Sequence, residues 1–192
     1  MSFGNTEIEI RFKLSEEEFL QLRERLSKIA EFKKRSVQKD DYFSPSHRDF
    51  LDAEFVNEWL SIRRRGGKAK LNYKFWYLDK DSESGTHCDE FETDVENPES
   101  LEKIFAALNM RKLISVQKER EVYTYKGEYE IAFDKVKGLG FFMEIETIKD
   151  FGSVEKARAG LLDFAKTLKL DRLEPEKIGY PHMLLKMRGE IK

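Results

Sequence analysis

Residues 7–14, EIEIRFKL, alternate charged and apolar side chains without a break, the two-residue period of a strand with one polar face. Glu7, Glu9, Arg11 and Lys13 share one side; Ile8, Ile10, Phe12 and Leu14 share the other. The period then changes. Ser15 opens SEEE, a capping box with Glu18 at the third helical position, and Phe19, Leu22, Leu26 and Ile29 follow at helical spacing. Further strands are predicted over 36–43, around WLSIRRR, over KLNYKFWY and over HCDEFETDV, with Gly66-Gly67 forming a hairpin turn and 79–85 an exposed one. Asn97-Pro98 starts a second helix whose stripe is Leu101, Ile104, Phe105 and Leu108. LISVQKEREVYTY and YEIAFDKV flank Gly127 as a second hairpin, and Gly138 and Gly140 precede the strand FFMEIETI. A last long helix begins near Ser153, using Val154, Ala157, Leu161, Phe164 and Leu168, and a short segment from Tyr180 to Met187 closes the chain. Eight or so strands with interspersed helices imply an α+β fold: an antiparallel sheet closing on itself with helices packed outside.

At 192 residues, with no linker or repeat, one domain over 1–192 is the simplest partition. Charged residues make up 38% of the chain, yet 35 Lys+Arg against 37 Asp+Glu leave a net charge of −2. That balance argues against a nucleic-acid partner held by bulk positive charge. Cys88 is the single cysteine, which excludes an internal disulfide and points to a cytoplasmic setting. The N-terminus shows no secretory pattern and no apolar run approaches the roughly 20 residues of a membrane span, so no membrane partner is expected.

The charges matter through their position. Glu7/Glu9, Arg63/Arg65, Glu90/Glu92, Lys118/Arg120 and Glu144/Glu146 are all i,i+2 pairs, each projecting from one face of its strand. A wet outer face is the ordinary explanation of such a row. Two features favour an interior one. Within each of the five pairs both members carry the same sign, and on FFMEIETI the opposite side is already filled by Phe141, Met143 and Ile145. Charged faces turned inward in a closed barrel could not form a dry core. They would make a wet site in which carboxylates hold Mg²⁺ or Mn²⁺ and Arg and Lys hold a phosphate chain.

The same residues resemble the CYTH domain, the family of triphosphate tunnel metalloenzymes that includes class IV adenylyl cyclase and thiamine triphosphatase. EIEIRFK is similar to the family's ExExK signature, with Arg11 where Lys is usual. DDYF at 40–43, LSIRRR at 60–65, Lys74, Glu90/Glu92, KER at 118–120, Asp134 followed by GLGFFMEIE, and Tyr180 continue the match in order. The resemblance implies a closed eight-stranded tunnel that binds a small-molecule triphosphate with divalent metal. It implies Glu7, Glu9, Glu144 and Glu146 as metal-side carboxylates, supported by Glu90, Glu92 and Asp134. Arg63, Arg65, Lys74, Lys118 and Arg120 would hold phosphates, and Glu7, Glu9 and Arg11 would act at the reacting centre. The implied activity is class IV adenylyl cyclase-like, ATP to cyclic AMP and pyrophosphate. The alternatives are a triphosphatase acting on tripolyphosphate, thiamine triphosphate or a nucleoside triphosphate, and a non-catalytic polyphosphate-binding module. A homodimer is the one self-assembly this reading leaves open. His47, His87 and His182 fit no zinc spacing.

Overall fold

The computed structural model describes residues 6–78 and 85–191; most of the turn expected at 79–85 lies outside them. The fold is α+β, with antiparallel pairing and four α-helices. The strands are β1 (Thr6–Glu7), β2 (Glu9–Leu14), β3 (Glu31–Pro45), β4 (Glu58–Arg65), β5 (Lys68–Leu78), β6 (Gly85–Val95), β7 (Met110–Tyr125), β8 (Tyr129–Val136) and β9 (Gly140–Thr147). The helices are α1 (Glu16–Leu26), α2 (Pro98–Ala107), α3 (Val154–Thr167) and α4 (Tyr180–Met187). The sheet order is β1-β6-β5-β4-β3-β7-β8-β9-β2. Its two ends, β1 and β2, are separated in the chain by Ile8 alone, the connectivity of a nearly closed barrel. Nine strands stand where eight were expected, because the alternating run 7–14 changes pairing partner at Ile8.

Two compact units divide the chain: one holds 37–117 and 178–192 with the first six residues, the other 7–36 and 118–177. In the second unit, the apolar faces of β2, β8 and β9 bury Ile10, Phe12, Ile131, Phe133, Met143 and Ile145 against α1 and α3. Ser15 caps α1 through the expected capping box, its hydroxyl accepting from the Glu18 N–H. Ser153 caps α3 through its hydroxyl alone, which accepts from the Lys156 N–H. α3 approaches closely at Gly160, where a methyl group would lie 3.0 Å from the Tyr129 hydroxyl and 3.1 Å from the Phe151 ring. Tyr129 and Phe164 stack beneath it at 4.7 Å.

In the first unit, β3 to β6 pair in sequence, and Phe105 of α2 packs against Phe43 and Ile62. Gly66 and Gly67 close the β4–β5 hairpin with φ of +57° and +81°, a left-handed pair that glycine adopts without steric cost.

Three details differ from the sequence expectation. Ile29 is 57% exposed because α1 ends at Leu26 and the chain turns into β3. Ile104 and Leu108 are exposed because α2 is ten residues long and buries mainly Phe105. β3 begins at Glu31 rather than Ser36, since EFKKR is exposed and shows no apolar alternation. Replacing Leu161, fully buried on α3, with Ala should cost about 2–5 kcal/mol in urea unfolding. Leu162→Ala, at a 45% exposed position one residue on, should stay within about 0.5 kcal/mol of wild type.

Candidate functional site

The strand period puts the charged rows on the faces opposite the helices, and each unit carries its own cluster. In the second unit Arg11 of β2 lies directly across from Glu144 of β9, and Arg120 of β7 directly across from Asp134 of β8. Arg11 donates through Nε to Glu144 at 2.7 Å and through its terminal nitrogen to Glu9 at 2.8 Å. Arg120 donates through Nε to Asp134 at 2.7 Å and also reaches Glu144. The residue opposite Glu144 on β8 is Ala132. Lys118 completes the set, 2.9 Å from Asp134. The backbone carbonyl of Arg11 accepts from the Glu176 N–H at 2.7 Å, which ties β2 to the segment after α3.

Three carboxylates and three cations thus interlock on one face. Asp134 is fully buried and Glu144 6% exposed. Burying such ions costs several kcal/mol each unless they are paired, and here each is. Burial alone would raise the pKa of Glu144; the guanidiniums of Arg120 and Arg11 outweigh it and hold the carboxyl well below its usual range. Asp134 is lowered against the same burial by Arg120 and Lys118. Glu146 lies across from Glu9 on one side and Glu130 on the other. Glu7 stands half-buried in β1, ahead of the break at Ile8. Glu119 and Glu121 point to the other side and pair with Arg35 and Arg23.

The first unit carries a second cluster. Arg63 donates to Glu90 at 3.0 Å and Glu92 at 2.8 Å and lies 3.8 Å from Asp40. Burial opposes its charge, but Asp40, Glu90 and Glu92 raise its pKa further. Arg65 is 3.5 Å from Asp40, Lys74 3.6 Å from Glu90, and Lys70 3.1 Å from Glu92. Tyr42, on the same face, is pushed up to about 12 by burial and Asp40. Arg64 points the other way, to Asp41 and Glu102, as its apolar-phase position requires.

Glu9, Arg11, Lys118, Arg120, Asp134 and Glu144 are therefore brought together in one unit, and Arg63, Arg65, Lys74, Glu90 and Glu92 in the other. Asp40, Lys70 and Asn72 join the second cluster without having been singled out. Register against Arg63 identifies Asp40, whereas Asn72, donating 2.6 Å to Glu90, carries no charge to betray it. Among the described residues no three His, Cys, Asp or Glu side chains are placed to hold a metal ion. The donor chemistry nevertheless suits a hard divalent cation. Glu9 and Glu144 offer carboxylate oxygens from adjacent strands, and the Arg11 guanidinium stands between them as a cation already.

The CYTH domain profile matches residues 5–179. This chain belongs to the CYTH domain family. It is 31% identical over 168 residues, 86% of this chain and 91% of the relative, to a Methanocaldococcus jannaschii protein provisionally named an adenylate cyclase. Among solved structures it resembles a Pyrococcus horikoshii protein at 27% identity, with a TM-score of 0.72 over 92% of this chain and 98% of the other. A Hippeastrum protein, named as an adenylyl cyclase and described as having a dominant triphosphatase activity, shares the fold at 19% identity and a TM-score of 0.64, covering 96% and 95% of the two chains. Among the described residues no helix is long and apolar enough to cross a membrane.

Because Glu144 titrates below the ordinary carboxylate value of 4.5 when folded, the unfolded chain binds more protons there. The stability this group contributes is complete above that value and is lost as pH falls through the folded pKa. Between about pH 5 and pH 3 the melting temperature should therefore drop more steeply in wild type than in Glu144→Gln. Parallel curves would show that Glu144 is not held ionised.

Proposed function

We propose that this CYTH protein is a divalent-metal-dependent enzyme acting on a triphosphate, with conversion of ATP to cyclic AMP and pyrophosphate as the first reading. The observation that carries it is the interlocked face of Glu9, Arg11, Lys118, Arg120, Asp134 and Glu144, in which every ion is of a kind that serves a metal polyphosphate. Support for the cyclase assignment comes from the Methanocaldococcus relative and its name.

Phosphoryl and nucleotidyl transfer require in-line placement and neutralisation of charge more than a protein nucleophile. Arg120 and Lys118 stand on a buried carboxylate that fixes their direction, so they present positive charge to phosphate oxygens with little reorganisation. Arg63 is held in the same manner by Glu90 and Glu92 and is the phosphate-holding group of the other unit. Arg65 and Lys74 add charge beside it. Mg²⁺ or Mn²⁺, held by Glu9 and Glu144 with Glu7 and Glu146 nearby in sequence, would polarise the phosphoryl oxygens. Glu90, Glu92 and Asp134 act in this reading by orienting the cations they bind. Glu144, with its lowered pKa, is a poor proton acceptor and serves as a charge rather than a base.

Hydrolysis of the terminal phosphate is the second reading. Both clusters consist almost wholly of charged groups, which address the triphosphate and not the nucleophile that attacks it. Incubation with Mg²⁺ or Mn²⁺ and ATP, tripolyphosphate or thiamine triphosphate separates the readings. Cyclic AMP with equimolar pyrophosphate supports the cyclase. Orthophosphate supports the hydrolase, and binding without either product would leave a non-catalytic module. Arg120→Gln and Arg63→Gln should each lower kcat/KM by about 10²-fold or more on whichever substrate turns over. Undiminished turnover in both would place the reaction elsewhere.

A further inference from the structure

Arg11 sits where the chemistry of the site calls for positive charge. Its guanidinium spans two strands, from Glu9 on its own strand to Glu144 across the ladder, at 2.8 and 2.7 Å. The three side chains are 9%, 7% and 12% exposed for Glu9, Glu144 and Arg11. Glu144 is further engaged by Arg120, and Asp134 by Lys118 and Arg120. Each of these three carboxylates therefore meets at least one cation before any ligand arrives.

We infer that Arg11 is a resident counter-cation that competes with divalent metal for the Glu9–Glu144 pair, so that this face binds metal weakly on its own. The inference rests on the proposed metal-triphosphate reading and adds to it a residue that governs metal affinity. The physical basis is direct. A divalent ion entering between the carboxylates would meet the fixed charge of Arg11 within a few ångströms, in a region where burial limits screening. Arginine cannot relieve the conflict by losing a proton, and its planar fork engages both carboxylates at once. A polyphosphate arriving with the metal supplies the negative charge that can draw the guanidinium away. Arg11 is thus a positioning residue: released from the carboxylates, it turns from holding Glu9 and Glu144 to holding phosphate. A lysine there would present a single nitrogen and could engage the pair less completely.

The test is titration of the full chain with Mn²⁺ alone, following the free aqueous ion by electron paramagnetic resonance. Wild type, Arg11→Lys, Arg11→Gln and Arg23→Gln are compared. Arg23 pairs with Glu121, which points to the opposite side from Arg120, and its variant controls for net charge. Arg11→Gln should bind Mn²⁺ roughly tenfold or more tightly than wild type. Arg11→Lys should fall between them, and Arg23→Gln should match wild type. Arg11→Lys keeps the charge balance and carries the comparison should Arg11→Gln fail to fold. Equal affinity of wild type and the Arg11 variants, or an equal gain in Arg23→Gln, would overturn the inference and leave the metal reading standing. No Mn²⁺ bound by any folded variant would overturn the metal reading itself, and the inference with it.

Discussion

An ion removed from water must be compensated, and this single requirement shapes both charged faces. Asp134 and Glu144 lie on β8 and β9, strands whose other face is a packed apolar core. Their desolvation, unpaired, would cost several kcal/mol each, together comparable with a domain's whole margin of stability. The strand register removes that cost by setting cation opposite carboxylate: Arg11 against Glu144 and Arg120 against Asp134. Arg63, beside Asp40, Glu90 and Glu92, meets the same requirement. The geometry of the charged groups follows from the pairing of the strands that carry them.

Such an arrangement is an uneconomical way to stabilise a fold, because apolar side chains of similar volume would do as well or better. Its value lies in presenting several fixed charges of both signs on rigid elements. A phosphate chain with its counter-ion is the small-molecule class with matching charge, and the position of this chain within the CYTH family agrees with that reading. The apolar sides support it indirectly. The serine caps of α1 and α3, the close approach at Gly160 and the Tyr129–Phe164 stack hold the helices against the sheet, leaving β2, β8 and β9 little freedom to separate their charged residues.

Much of this was legible in the chain. The alternation in EIEIRFKL, the serines before α1 and α3, the glycine turns and the segregation of Phe142, Glu144 and Glu146 from Phe141, Met143 and Ile145 each follow from local periodicity. Lys118 and Arg120 were harder, since Gln117, Glu119 and Glu121 alternate with them and leave both faces polar; only partners across β7 and β8 show which face they take. Non-local facts were hidden. The break at Ile8 reflects two different neighbouring strands, and nothing in the 7–14 pattern records it. Asn72 matters because of what lies beside it, as a neutral donor to Glu90. The grip of Arg11 on both Glu9 and Glu144 depends on the β2–β9 register, which a one-residue slip would abolish.

We propose that these charged faces receive a metal triphosphate. This is tested most directly by the melting temperature of the wild-type chain with saturating Mn²⁺ and tripolyphosphate, measured against sodium sulfate at the same ionic strength. Ligand at about a hundred times its dissociation constant should add roughly 2.7 kcal/mol, or about 5–10 °C for a chain of this length. A melt no higher than the sulfate control would contradict the claim.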